Sequence, residues 1–157
     1  NLLAYVRAFW TLALPYQSDR MAKVITNCRV SLTHLITFCT ESKKAGSLLT
    51  RSAKPIARKQ RLLLDQNVHK FAMLVLECPF KNPLRTFRGE SLLRLQDVDK
   101  PKHRRIHLVC TLCYQLLKVM VMGRPSFALC LAPFIPLMQT QLQYGFTVTD
   151  TLLEMFK

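Results

Sequence analysis

The sequence is poor in acidic residues and in glycine. It has 9 Asp and Glu against 23 Lys and Arg, a formal net charge of +14, and only 4 glycines. The scattered glycines form no glycine-rich phosphate loop, and the dispersed carboxylates offer no pair for acid–base catalysis. No Ser-His-Asp or Cys-His arrangement can be proposed either. These absences predict a protein that is not an enzyme and needs no cofactor.

Long uninterrupted apolar runs are also missing. The first run, Leu2–Leu14, is too short to span a bilayer, and no basic segment of a signal peptide precedes it. The longer run Val119–Met138 is interrupted by Gly123, Pro125 and Pro133. A lipid-facing helix would leave the interrupted backbone groups without partners, so we predict no transmembrane segment. The abrupt apolar start suggests that residues 1–157 are one domain of a much larger chain.

The cysteines favour a reducing environment. The chain has 6 of them, mostly within apolar runs, as expected for buried thiols rather than a disulfide framework. His107, Cys110 and Cys113 have the spacing of half a metal site. On a helix, however, Cys113 points away from His107, and no second pair completes four ligands. We therefore predict six reduced thiols and no zinc.

Apolar residues recur at helical spacing along most of the chain, and no strand-like alternation persists. The predicted helices are 2–14, 19–40, 56–77, 106–121, 126–132, 136–143 and 148–156, with a linker at 41–55. A turn of helix is expected at Ser91–Leu95, before a charged loop at Asp97–Arg105. The fold class predicted is all-α, with antiparallel helices stacked as an armadillo-like α-solenoid.

Two of these helices carry specific expectations. Ile106–Val121 has the widest apolar arc and is predicted to be the most buried helix. In the helix over 56–77, the spacing places Phe71 on the buried face and His69 on the polar face.

Basic residues gather at the start of the helix over 56–77. Arg58, Lys59 and Arg61 follow Arg51 and Lys54 in the linker. The start of a helix already favours anions, so this region suits a phosphate-rich partner such as nucleic acid, anionic lipid or an inositol phosphate. The other interpretation is a solvated basic turn without a ligand.

Several segments, in their order and spacing, resemble the ryanodine and inositol trisphosphate receptor homology (RIH) domain. The matching segments are Asp65-Gln66-Asn67, Leu76–Phe80 ending in Pro79-Phe80, Leu92–Leu95, Cys110–Leu117, Met138-Gln139 with Gln141, and Thr147–Met155. The resemblance runs from about Arg58 to Phe156, whereas residues 1–50 share only helical character.

The resemblance implies an armadillo-like unit in the cytosolic part of a large tetrameric calcium-release channel, on an intracellular store membrane such as the endoplasmic reticulum. In inositol trisphosphate receptors this unit forms the helical wall of the ligand cleft, opposite a β-trefoil domain. The implied function is a cytosolic ligand-coupling domain of a ligand-gated channel. Its implied partners are an inositol phosphate, the neighbouring β-trefoil and helical domains of the same chain, and three further subunits.

The resemblance also indicates where phosphate contacts would fall. The family's positions correspond to Ala57, Arg61 and Leu64 on the first helix, and to Arg124, Pro125 and Ser126 after the Cys-Tyr helix. The candidate anion-binding residues are Arg58, Lys59, Arg61, Lys118 and Arg124. Because Ala57 and Leu64 are uncharged and expected to face the cleft, we expect inositol trisphosphate to bind weakly or not at all.

A different class of function stays open at this point. A basic helical scaffold that binds an acidic protein or nucleic acid, outside any channel, would have the same charge balance. The run from Lys100 to Arg105 fits such a patch, although it lacks the interleaved aromatic residues that stack on bases. A solvated loop between helices is the simpler interpretation of that run.

Overall fold

The computed structural model describes residues 1–11, 19–40, 54–81 and 93–157. Its helices are α1 (Leu2–Thr11), α2 (Asp19–Cys39), α3 (Ala57–Asp65), α4 (Val68–Glu77), α5 (Arg104–Val121), α6 (Pro125–Ala128), α7 (Ile135–Thr140) and α8 (Val148–Met155). Within these ranges no strand forms, apart from an isolated bridge between Thr40 and Pro55. None of the described helices is both long and apolar enough to cross a membrane. The all-helical prediction is confirmed, while the solenoid stacking stays a prediction.

Helix α2 follows its sequence pattern closely. Its buried residues recur every three or four positions and form one stripe: Met21, Ile25, Cys28, Leu32, Ile36 and Cys39. The intervening positions Lys23, Asn27 and Thr37 are exposed.

Helix α5 lies at the centre of the fold. It packs against α2, α3, α4, α6 and α8, and every residue from Val109 to Leu117 is buried. This confirms that Ile106–Val121 is the most buried helix, although α5 begins slightly earlier, at Arg104. Tyr114 and Gln115 are buried as well, although both have polar groups. The Tyr114 hydroxyl donates a hydrogen bond to Gln141 Oε1, so its burial leaves no polar atom without a partner.

Helices α2 and α5 run side by side in the same direction. Near the start of α5, Arg105 borders the same recess as Arg29, which lies midway along α2. At the other end Cys39 Sγ lies 3.9 Å from the carbonyl oxygen of Val119. The two helices are not consecutive in the chain, so this parallel pair does not follow from the order of predicted helices.

The helix predicted over 56–77 is two helices, and this prediction was wrong. The chain turns at Gln66 and Asn67, where Asn67 adopts a left-handed conformation with φ 58°. Asparagine tolerates that conformation better than most residues, and the turn rotates α4 relative to α3. As a result His69 is only 6% exposed and Phe71 is 37% exposed, the reverse of the expectation. Burial, with the nearby Lys70 as a second cause, lowers the pKa of His69.

Other boundaries differ by smaller amounts. The turn expected at Ser91–Leu95 is a 3-10 turn at Leu95–Asp97, and residues 91–92 lie outside the described ranges. The loop expected at Asp97–Arg105 contains a further 3-10 turn, Pro101–His103, because Pro101 has a backbone angle that suits a first helical position. The predicted end of the first helix and most of the linker 41–55 also lie outside the described ranges.

The central position of α5 leads to a stability prediction. Leu117 is fully buried on α5, whereas Leu153 on α8 is 62% exposed. Because Leu117→Ala leaves a cavity, we expect it to lower the free energy of unfolding by about 2–5 kcal/mol, and Leu153→Ala to change it by less than about 0.5 kcal/mol. Urea unfolding followed by circular dichroism measures both. Equal losses for the two variants would contradict the central placement of α5.

Candidate anion-binding site

The basic residues of α3 are exposed because its other face is buried. Gln60, Leu63 and Leu64 point into the fold, against α4 and α5. Arg58 and Arg61 are therefore exposed, and Lys59 is half-buried. Because one face of α3 is buried and the other is basic, its charged side chains face solvent along one side of the helix. The N-cap residue of α3 is Ile56, whose apolar side chain makes no capping hydrogen bond.

These three basic residues line one groove. Phe38 from α2, together with Arg58, Lys59, Arg61, Leu62 and Asp65 from α3, encloses a cavity volume of about 400 Å³. Lys59 Nζ lies 4.8 Å from the centre of the Phe38 ring, in a cation–π contact. Arg61 Nε lies 3.7 Å from Asp65 Oδ2. Both partners of that ion pair are exposed, so it contributes little stability and an anion can compete for Arg61.

The side chain of Gln60 connects α3 to the end of α5. Its Nε2 donates hydrogen bonds to the carbonyl oxygens of Val119, at 2.8 Å, and Met122, at 3.0 Å. The last carbonyls of a helix have no partner within it, and Gln60 supplies one from a neighbouring helix. The start of α3 is thereby held against the last turn of α5.

Lys118 and Arg124 lie near this junction but do not line the groove. Lys118 is half-buried in the last turn of α5, and Arg124 is exposed at the N-cap of α6. Gly123, between them, has φ 71°, which turns the chain sharply after α5. The structure therefore brings Arg58, Lys59 and Arg61 together, and places Lys118 and Arg124 at the adjoining end of α5.

One expectation about the family's positions was wrong. Leu64 does not face an open cleft: it is 8% exposed and belongs to the core. An arginine introduced there would bury a charge, which is strongly unfavourable. Ala57 is half-buried, while Pro125 and Ser126 are exposed. Of the three α3 residues that correspond to the family's phosphate contacts, only Arg61 is charged and exposed.

Sequence reasoning missed Phe38 and Leu62, the apolar walls of the groove. Both are exposed although they are large and apolar. Phe38 falls outside the apolar stripe of α2, and an aromatic residue on the polar side of an amphipathic helix was the available signal. The pairing of Phe38 with Lys59 could not be read from the sequence, because it depends on how α2 and α3 pack.

The cysteines form no metal site in this structure. Within the described ranges, no group of His, Cys, Asp and Glu side chains is placed to hold a metal ion. All cysteines except the exposed Cys130 are buried. Burial raises the pKa of the Cys28 thiol to about 12 and that of Cys39 to about 11, which leaves very little of the reactive thiolate at neutral pH.

The fold and the groove together define an all-helical module with a basic site at one end of its central helix. The family model for the RIH domain matches residues 29–157. The chain belongs to the RIH domain family. RIH domains are parts of channel receptors of the inositol trisphosphate and ryanodine type rather than enzymes, and they lie in the cytosolic portion of those channels.

The buried thiols give a prediction about reactivity. At pH 8, a thiol reagent in excess should label Cys130 rapidly, and the other cysteines only after denaturant is added, because their thiolates are suppressed by burial. Mass spectrometry of the labelled protein gives the sites and the rates. Metal analysis of the same protein should find no stoichiometric zinc. One equivalent of zinc that disappears in Cys110→Ser would contradict the expectation about zinc, and rapid labelling of Cys110 in the native protein would contradict the expectation about burial.

The Gln60 contact gives a second prediction. Gln60→Met keeps the side-chain volume but removes both hydrogen bonds to the end of α5. We expect the free energy of unfolding to fall by about 1–3 kcal/mol, because buried carbonyl groups lose their partners. Gln143→Met, at an exposed glutamine, is the matched control. If both variants unfold at the same urea concentration, Gln60 does not hold α3 to α5.

Proposed function

We propose that this chain is the ligand-coupling domain of an intracellular ligand-gated calcium-release channel of the inositol trisphosphate receptor type. It would lie in the cytosolic part of a homotetramer, at the membrane of a calcium store such as the endoplasmic reticulum. Membership of the RIH family supports this assignment. The structural observation that supports the proposal most directly is the groove to which α3 contributes Arg58, Lys59 and Arg61.

The chemistry of the groove suits a phosphorylated polyol. Guanidinium groups bind phosphate oxygens through paired charge-assisted hydrogen bonds, and an ammonium group adds a compact positive charge. Phe38 and Leu62 provide apolar surface for the carbon face of a ring. The cavity of about 400 Å³ also lies within the range of ~300–1,000 Å³ typical of small-molecule sites.

Coupling would begin at α3. An anion that draws Arg58 and Arg61 toward a neighbouring domain pulls on α3, and the Gln60 hydrogen bonds transmit that pull to the end of α5. Helix α5 in turn packs on α2 and α8. A rigid helix held at one end and packed along its length is a suitable element for transmitting domain closure. The ligand-induced change is then a shift between open and closed arrangements of the wall.

The isolated domain is expected to bind inositol trisphosphate weakly. Ala57 and Leu64 carry no charge, and Leu64 is buried, so only Arg61 keeps a charged side chain among the family's positions on α3. Arg58 and Lys59 approach from neighbouring positions. A β-trefoil domain upstream would supply the opposite wall of the cleft, and the two domains together would form the complete site.

Calorimetric titration tests the assignment. Inositol trisphosphate is titrated against the domain joined to its upstream neighbour, and against the variants Arg61→Gln and Arg58→Gln. Each charge-assisted contact contributes about 1.5–3 kcal/mol, so each variant should bind at least about tenfold more weakly. The control is Lys102→Gln, which removes the same charge from an exposed position away from the groove.

Two results would overturn the proposal. Binding that is equally weakened by Arg61→Gln and Lys102→Gln would reflect the general positive charge of the surface. Submicromolar binding that is unaffected by Arg58→Gln and Arg61→Gln would place the cleft on other residues. Repeating the titration at higher salt separates these cases, because attraction to a diffuse surface charge is screened more strongly than contact within a groove.

A further inference from the structure

A second, smaller recess lies between α2 and the start of α5. It is lined by Ile25, Thr26 and Arg29 from α2 and by Arg105 and Leu108 from α5, with a cavity volume of about 120 Å³. The residues come from two helices that are far apart in sequence. Arg105 is close to the first residue of α5, so this recess lies at the opposite end of α5 from the Gln60 contact.

The recess brings two positive charges together without a counter-charge. Arg29 and Arg105 are exposed, and neither forms an ion pair with a carboxylate among the residues that the structure describes. The acidic residues Asp65, Glu77 and Asp97 are paired with cations on their own segments. Like charges that share one site repel each other, and an anion bound between them adds an attraction to each that outweighs this repulsion.

The size and the lining of the recess define the ligand. At about 120 Å³ it is smaller than the ~300 Å³ lower end of sites for organic ligands. Guanidinium groups match the geometry of phosphate oxygens, and the Thr26 hydroxyl adds a neutral donor. Ile25 and Leu108 form the apolar part of the lining.

We propose that this recess binds a single phosphate group, either orthophosphate or the terminal phosphate of a small soluble phosphomonoester. The bound phosphate joins α2 to the start of α5 through Arg29 and Arg105. This site is separate from the groove on α3 and does not depend on the function proposed for that groove. Both sites take a residue from α2: Arg29 in the recess precedes Phe38 in the groove by nine positions, which at ~1.5 Å per residue is about 14 Å along that helix.

Titration with orthophosphate in a low-chloride buffer tests the proposal. The readout is the chemical shift of the arginine Nε–H groups in nuclear magnetic resonance spectra. We expect saturable shifts at Arg29 and Arg105, and a loss of affinity of at least about tenfold in Arg29→Gln and in Arg105→Gln. Glycerol phosphate should give the same pattern, because it presents the same terminal group.

The matched controls lie on the same two helices. Arg20→Gln on α2 and Arg104→Gln on α5 remove the same charge from exposed positions outside the recess, and they should leave the phosphate affinity within about twofold. Arg61→Gln, which alters the groove on α3, should also leave it unchanged. Thermal unfolding provides a second readout, since phosphate should raise the Tm of the native protein but not that of Arg29→Gln.

Three outcomes would overturn the proposal. If Arg20→Gln and Arg29→Gln lose equal phosphate affinity, the binding would be explained by the general positive charge of the surface. Phosphate shifts confined to Arg58 and Arg61 would assign all binding to the groove on α3. Binding to vesicles that contain phosphatidic acid, without saturable binding of orthophosphate, would replace a soluble ligand with a membrane surface.

Discussion

The burial of α5 on several sides is the constraint on which the rest of the structure depends. The buried polar groups of a helix so enclosed need hydrogen-bond partners within the protein, and several of those partners come from other elements. The Tyr114 hydroxyl donates to Gln141 Oε1, and Gln141 Nε2 donates to the Leu76 carbonyl at 3.0 Å. Thr151 Oγ1 donates to the Tyr114 carbonyl at 2.9 Å. These bonds attach α4, α5, α8 and the turn after α7 to one another, so apolar burial and polar pairing specify the same arrangement.

The same requirement positions the candidate site. The end of α5 needs donors, and Gln60 on α3 provides them. Gln60 faces the core. Arg58 and Arg61 are less than one full turn from it along the helix, so they lie on other sides of α3 and face solvent. The groove is therefore a consequence of how α3 packs rather than a separate feature. A change in the angle of α3 alters both the groove and the contact with α5, and this link is what makes coupling between them physically reasonable.

The sequence predicts which face of a helix is buried better than it predicts which residues of different helices contact each other. The buried stripe of α2 and the enclosed character of α5 follow from periodicity, because burial is local to each helix. The break between α3 and α4 does not, since Asn67 is equally compatible with continuing a helix, and its left-handed conformation depends on the packing of both helices. The basic residues of the groove are adjacent in the sequence and could be predicted. The placement of Phe38 beside Lys59, and of Arg29 beside Arg105, requires tertiary packing that no local pattern contains.

The ion pairs of the protein show which basic residues are neutralised by carboxylates. The ion pairs Arg61–Asp65, Lys81–Glu77, Lys100–Asp97 and Lys157–Glu154 each join residues three or four positions apart. Pairs of this kind support a single helix or turn and contribute little to the association of helices. Because these four carboxylates pair within their own segments, Arg29 and Arg105, which meet between α2 and α5, have no carboxylate partner among the residues that the structure describes. In a chain with a formal net charge of +14, a junction of this kind is where an external anion would gain the most, and the scarcity of acidic residues is therefore part of the reason for proposing anion sites near the ends of α5.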